Sequence, residues 1–211
     1  MIKRRNILSI FPKKIEKYIY NFLSRNVHKK WLAAGAPLPP SHFSKQEVLR
    51  MYGKRFGITT FVETGTYLGD MIFALQDDFE SLSSIEIADN LYNDAMKRFK
   101  ENSSVHIIHG DSGEKLAEVV HSLNVPSLFW LDGHYSGGGT GKGAKETPIY
   151  KELEAIFSSD LKHVIVIDDA RLFVGTHDYP KLTELESFVV GRRPNYIFSV
   201  ENDSVRIIPK K

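Results

Sequence analysis

Thr60-Phe61-Val62-Glu63-Thr64-Gly65-Thr66-Tyr67-Leu68-Gly69-Asp70 is a short apolar run that stops at a carboxylate, turns through Gly-x-x-x-Gly and leads into a helix. A strand that gives way to a helix through a tight glycine turn is the repeating unit of a parallel α/β sheet. The unit recurs along the chain. Thr60 to Glu63 reads as the first core strand, followed by Ser83 to Ile87, Val105 to His109, Ser127 to Asp132 and Val164 to Asp168. Helical spacing separates them, with Leu116, Val119, Val120 and Leu123 in one segment and Ile149, Leu153, Ile156 and Phe157 in another. Thr147 is the expected cap of the latter and Pro148 its first residue. Leu182, Leu185, Phe188 and Val189 give a further helix, and Tyr196 to Val200 with Ser204 to Ile208 form a hairpin through Glu201-Asn202-Asp203. The runs Ser127 to Leu131 and Val164 to Ile167 are apolar enough to be covered on both faces. The expected fold is α/β: a doubly wound, mostly parallel seven-stranded sheet with a C-terminal antiparallel hairpin.

Upstream of this stretch the chain changes character. The first thirty residues carry Lys3, Arg4, Arg5, Lys13, Lys14, Lys17, Arg25, Lys29 and Lys30 against Glu16, while the net charge of the whole chain is only +2. Ile15, Tyr18, Ile19, Phe22 and Leu23 recur at helical spacing, which predicts a basic amphipathic helix. Ala36-Pro37-Leu38-Pro39-Pro40 ends it as an extended linker, and Ser44-Lys45-Gln46-Glu47 has the spacing of a capping box. Residues 1–40 are therefore read as helix and linker and 41–211 as the main domain. Pro12, Lys13 and Lys14 interrupt the apolar start too early for a signal peptide, so a cytoplasmic protein is expected. The chain contains no cysteine, which excludes disulfides, thiolate zinc sites and cysteine nucleophiles.

Ligands of such sheets bind beyond the carboxyl ends of the strands, where strand order reverses. The informative residues are those that end strands. Glu63 closes the first, and Tyr67 occupies the place where a dinucleotide site needs a glycine for close approach to a pyrophosphate. A phosphate-free ligand tolerates that bulk. Glu86 ends the second strand, where a carboxylate accepts both ribose hydroxyls. Asp111-Ser112 follows the third, with Asp111 either a helix cap or the acceptor for an adenine amino group. The fourth and fifth end in Asp132-Gly133-His134-Tyr135 and Asp168-Asp169-Ala170-Arg171. Three converging carboxylates repel one another unless a hard cation joins them, a carboxylate is protonated, or Lys142 and Arg171 neutralise them. Ser136-Gly137-Gly138-Gly139-Thr140-Gly141-Lys142-Gly143 lacks the Ser or Thr of a phosphate loop and reads as a mobile substrate loop or a plain connector.

Glu63-Thr64-Gly65-Thr66-Tyr67-Leu68-Gly69, with Glu86, Asp111 and Asp132, resembles the motifs of class I S-adenosylmethionine (SAM) dependent methyltransferases, a Rossmann-like family, over residues 44–208. Asp132-Gly133-His134-Tyr135 with Asp168-Asp169 resembles the metal-dependent, macrocin-type O-methyltransferases. The resemblance implies SAM held by Glu63, Thr64, Gly65, Thr66, Gly69, Glu86, Asp111, Ser112 and Asp132, and magnesium held by Asp132, Asp168 and Asp169. Members commonly carry an acidic base two residues beyond the first metal ligand; here His134 stands there, itself a competent base near neutral pH, beside Asp132 as the other catalytic residue. The implied reaction is O-methylation of a small molecule or sugar hydroxyl. A nicotinamide oxidoreductase and a non-catalytic SAM-binding protein are the rival readings. Residues 1–30 suit either an anionic membrane or a protein partner, or pack on the core; nucleic acid is not expected, and the oligomeric state is not legible.

Overall fold

The computed structural model describes residues 13–133 and 147–210. The expectations for His134 as base, for Lys142 and for the 136–143 loop lie outside the described residues.

The elements run α1 (Lys13–Ala33), α2 (His42–Phe56), β1 (Thr60–Thr64), α3 (Asp70–Leu75), β2 (Ser81–Glu86), α4 (Asp89–Phe99), β3 (Val105–His109), α5 (Ser112–Ser122), β4 (Ser127–Leu131), α6 (Ile149–Phe157), β5 (Val164–Ile167), a single 3-10 turn (Ala170–Leu172), α7 (Leu182–Arg192), β6 (Tyr196–Glu201) and β7 (Ser204–Pro209). The chain divides into two compact units, Met1–Val48 and Leu49–Lys211. In the first, the indole of Trp31 donates to the carbonyl of Pro37 at 2.7 Å, and the His28 ring lies 2.8 Å from Ser41 Oγ, so the proline segment folds back on α1. The cap of α2 is Ser41 rather than Ser44: the helix starts at His42, and the Ser44 amide donates to Ser41 Oγ at 3.2 Å. Likewise Thr147 does not cap α6, which begins at Ile149 after Pro148, with no side-chain cap bond.

In the second unit the seven described strands form one sheet in the order β3-β2-β1-β4-β5-β7-β6. β1 to β5 are parallel, and β7 inserts antiparallel between β5 and β6. Strand order reverses between β1 and β4, so the crevice for a ligand opens there. The register brings Thr64 opposite both Ile85 and Leu131, and Leu131 opposite Ile167, which aligns the strand ends on one rim. Every residue of β1, β4 and β5 is buried, which is why their sequences lack polar alternation. One face packs Val62, Phe129 and Ile165 against Leu116 of α5, Leu153 of α6 and Leu185 of α7. The alternate residues Glu63, Trp130 and Arg206 belong to the opposite face, where Arg206 Nη1 lies 3.4 Å from Tyr52 Oη of α2. The β6-β7 turn places Asn202 and Asp203 at φ 47° and 59°, the paired left-handed conformation that matches the twist of a two-residue hairpin. Among the described residues no helix is long and apolar enough to cross a membrane.

Candidate functional site

The turn after β1 is held from three sides. Gly65 has φ +81°, and a Cβ there would sit 2.5 Å from the carbonyl oxygen of Asp132. The amide of Asp132 donates to Thr64 O at 3.1 Å, so the turn lies directly across the end of β4. Only glycine permits both the left-handed backbone and that approach. The turn's own amides are engaged: Gly65 N and Thr66 N donate to Ile85 O at 2.9 and 3.3 Å, and Gly69 N donates to Thr66 O at 2.8 Å. Tyr67 N donates to Glu86 Oε2 at 2.7 Å.

Glu86 thereby acquires a fixed orientation, because its other oxygen accepts from Ala88 N at 2.9 Å. A carboxylate oxygen can accept a second hydrogen bond, which gives Glu86 further acceptor capacity at the end of β2. Glu63 lies deeper. It is 2% exposed and accepts from Ser84 Oγ at 2.6 Å, and Ser84 in turn lies 2.7 Å from Thr66 Oγ1. Burial raises its pKa well above the ordinary carboxylate value, the Ser84 hydrogen bond opposes this, and the charges of Asp132, Glu86 and Asp70 add to the rise. Those charges act on Glu63 because the strand ends gather the acids in one region. Glu63 forms the floor beneath the turn, under Thr66, rather than an open position on the rim.

On the other side of the turn, Thr64 Oγ1 is buried with no hydrogen-bond partner. A Cβ at Gly133 would stand 3.0 Å from it and 3.1 Å from Ser112 Oγ, so these two hydroxyls and Gly133 share one corner between β1, β4 and α5. An unsatisfied buried hydroxyl costs about 1–3 kcal/mol, which a ligand donor or acceptor would recover. Asp111 caps α5, accepting from Gly113 N at 2.8 Å through one carboxylate oxygen. Gly69 serves packing: at φ +71°, its Cβ would meet the Phe99 ring at 2.8 Å. Arg98, which the sequence did not single out, ties this end of the turn by donating to Leu68 O at 2.6 Å and Asp70 Oδ1 at 2.8 Å.

Asp168 is 3% exposed and its amide donates to Leu131 O at 3.0 Å. Asp169 stands at φ 55° and its Oδ1 accepts from Arg171 Nη1 at 2.7 Å. The same nitrogen donates to the carboxylate of Asp203. Among the described residues no three His, Asp or Glu side chains are gathered so as to hold a metal ion. Asp169, one of the three expected magnesium ligands, is engaged by a guanidinium. Asp203 escaped the sequence reading: its local signal is a turn, and nothing in it points to Arg171 across 32 positions.

No protein-family model matches the sequence, and no curated protein matches it. Solved structures do match the fold. TomG of Streptomyces achromogenes, an O-methyltransferase involved in tomaymycin synthesis and solved with SAM, superposes with TM-score 0.60 at 16% identity, covering 89% of each chain. An O-methyltransferase from Bacillus cereus in complex with SAH gives 0.58 at 16% identity, covering 89% of this chain and 90% of that one. The SAH-bound methyltransferase PaMTH1 of Podospora anserina gives 0.55 at 15% identity, covering 79% and 78%. The chain thus has the seven-stranded, Rossmann-like fold of these methyltransferases.

Proposed function

We propose that this protein is a SAM-dependent methyltransferase that methylates a hydroxyl of a small molecule or sugar. The observation that carries the reading is the state of the turn after β1. Its amides at Gly65, Thr66, Tyr67 and Gly69 are all donated within the protein, while carboxylates stand around it. A pyrophosphate needs free amides at this place. A cationic, phosphate-free nucleoside needs acceptors instead, and those are what the rim offers. Solved proteins of the same fold hold SAM or SAH, which supports the same choice.

In this reading Glu86 accepts the ribose hydroxyls with the lone pairs its two amide bonds leave open. Asp111 accepts the adenine amino group through the oxygen that does not cap α5, beside Ser112. Gly65 lets the turn lie against the Asp132 backbone beside the ligand, Thr64 Oγ1 gains a partner, and Asp132 faces the cationic portion. Glu63 and Thr66 act from below by fixing the turn. Bound SAM supplies an electrophilic methyl group, which passes to the acceptor oxygen while the sulfur keeps the electron pair of the broken bond. His134 takes the proton that leaves the acceptor hydroxyl, and Asp132 is the other catalytic residue. Alignment of the two reactants contributes most of the acceleration. Arg171 engages Asp169, so the carboxylates after β5 are partly neutralised by a guanidinium.

The protein is taken as cytoplasmic, with the basic N-terminal segment contacting an anionic membrane surface. Ile15, Tyr18 and Phe22 are exposed at 46%, 73% and 58% on one stripe of α1, continued by the exposed Arg25 and Lys29. A thermal-shift comparison tests the main assignment. SAH should raise the melting temperature and NAD should not; stabilisation by NAD alone would favour a nicotinamide oxidoreductase. SAH binding without methyl transfer to any hydroxyl acceptor would favour a non-catalytic binding protein.

A further inference from the structure

Asp203 sits at the tip of the β6-β7 hairpin with its carboxylate 1% exposed. A carboxylate removed from water to that extent needs a countercharge. Arg171 supplies it through Nη1, which donates to the carboxylate, while its backbone amide donates to Asp203 Oδ1 at 2.9 Å. The hairpin is further tied to this segment by Ala170 N, which donates to Asp203 O at 2.8 Å. From that anchor the guanidinium reaches Asp169 Oδ1 at 2.7 Å, the residue that the family resemblance assigns to a divalent ion.

We propose that Arg171 is a resident cation of this site, neutralising Asp169 and Asp203 where the resembled metal-dependent O-methyltransferases place a divalent metal. The consequence is a protein that binds its methyl donor without metal. The donor clause rests on the methyltransferase reading; the charge clause does not. A divalent ion at Asp169 would meet a guanidinium bonded to the same carboxylate, and two cations repel one another at that distance. Displacing Arg171 would leave Asp203 buried and uncompensated, because Asp203 cannot turn outward while its backbone closes the hairpin and accepts from Ala170. The device belongs to this chain's own residues: an arginine two positions after the second aspartate, and an aspartate in the left-handed turn of the terminal hairpin.

The experiment is a manganese titration, read by electron paramagnetic resonance, of the full-length protein and of Arg171→Met, with Arg171→Lys as the charge-conserving control. The wild type and Arg171→Lys should show no saturable manganese binding up to about 1 mM, and Arg171→Met should bind at least about tenfold more tightly. One-to-one manganese binding by the wild type in the micromolar range overturns the proposal. So does equal behaviour of wild type and Arg171→Met, whether both bind or neither does. If Arg171→Met does not fold, the wild-type titration decides: saturable binding overturns the proposal and its absence carries it. Calorimetry with SAH in EDTA and in magnesium completes the test. Equal affinities support metal-free donor binding, and a requirement for magnesium overturns it. Failure to bind SAH under either condition removes the methyltransferase reading and leaves the manganese result to judge the arginine.

Discussion

Replacing Gly65 by alanine perturbs the turn in two separable ways. The backbone at φ +81° disfavours any L-residue by about 1–2 kcal/mol. The new Cβ would also stand 2.5 Å from Asp132 O and 2.9 Å from Asp132 C, atoms of the backbone that cannot rotate away. Overpacking against atoms that must shift adds about 1–3 kcal/mol, giving roughly 2–5 kcal/mol in all. Gly57 provides the internal control. Its φ is +62°, and nothing lies within 4 Å of a Cβ built there, so Gly57→Ala carries only the conformational cost of about 1–2 kcal/mol. At about 2–4 °C per kcal/mol for a chain of this size, Gly65→Ala should melt on the order of 10 °C below wild type and Gly57→Ala on the order of 5 °C below. Because the collision pushes β1 and β4 apart at the rim, SAH affinity should fall in Gly65→Ala and hold in Gly57→Ala. Thermal melts with calorimetric SAH titrations of the three proteins make the comparison. Equal melting temperatures for the two variants, with SAH affinity intact in both, would refute the close-approach account of Gly65.

The remaining predictions concern charge and surface. Glu63 has a folded-state pKa above its unfolded value, so the folded state binds the extra proton; this contribution is full below about 4.5 and is lost as pH rises through the folded pKa. Glu63→Gln, neutral throughout, should therefore melt above the wild type at alkaline pH, with the gap closing toward pH 4; a gap independent of pH contradicts the buried-acid assignment. His163 is 1% exposed, and burial lowers its pKa from 6.5 to about 4. Its contribution to stability is present above about 6.5 and lost as pH falls toward about 4, on the order of 3 kcal/mol in total. NMR titration should find its ring neutral at pH 5.5, whereas a midpoint near 6.5 would mean the ring is solvated. For the N-terminal segment, Phe22→Glu should reduce co-sedimentation of the full-length protein with anionic vesicles several-fold; undiminished binding would remove α1 from that contact.

The strands were legible because burial on both faces leaves an unmistakable mark. Phe129-Trp130-Leu131 and Val164 to Ile167 are apolar without alternation, and β1 to β5 match their expected positions within two residues at either end. Asn202-Asp203 announced the hairpin through its tolerance of positive φ. The cap of α2 was misplaced because Ser41 and Ser44 both offer a hydroxyl three residues ahead of a polar side chain, and only the backbone decides which one ends the linker. At the site, sequence named the strand-end acids but not their depth. Alternation assigns Glu63 to a face of the sheet, yet its withdrawal beneath Thr66 depends on Ser84 in the next strand. The setting of the aspartates after β5 was hidden for a related reason. Arg171 was named beside the three carboxylates, two residues from Asp169, but its anchoring by Asp203 is closed by the hairpin 32 positions away.

The central claim, an acidic rim around an amide-saturated turn that holds a phosphate-free nucleoside, is tested most directly by calorimetric titration of SAH into the wild type and Glu86→Gln. One-to-one binding is predicted for the wild type, weakened by roughly 10- to 100-fold in the variant as charge-assisted hydrogen bonds worth about 1.5–3 kcal/mol are lost. No heat of binding from the wild type, or equal affinity in the two proteins, would contradict it.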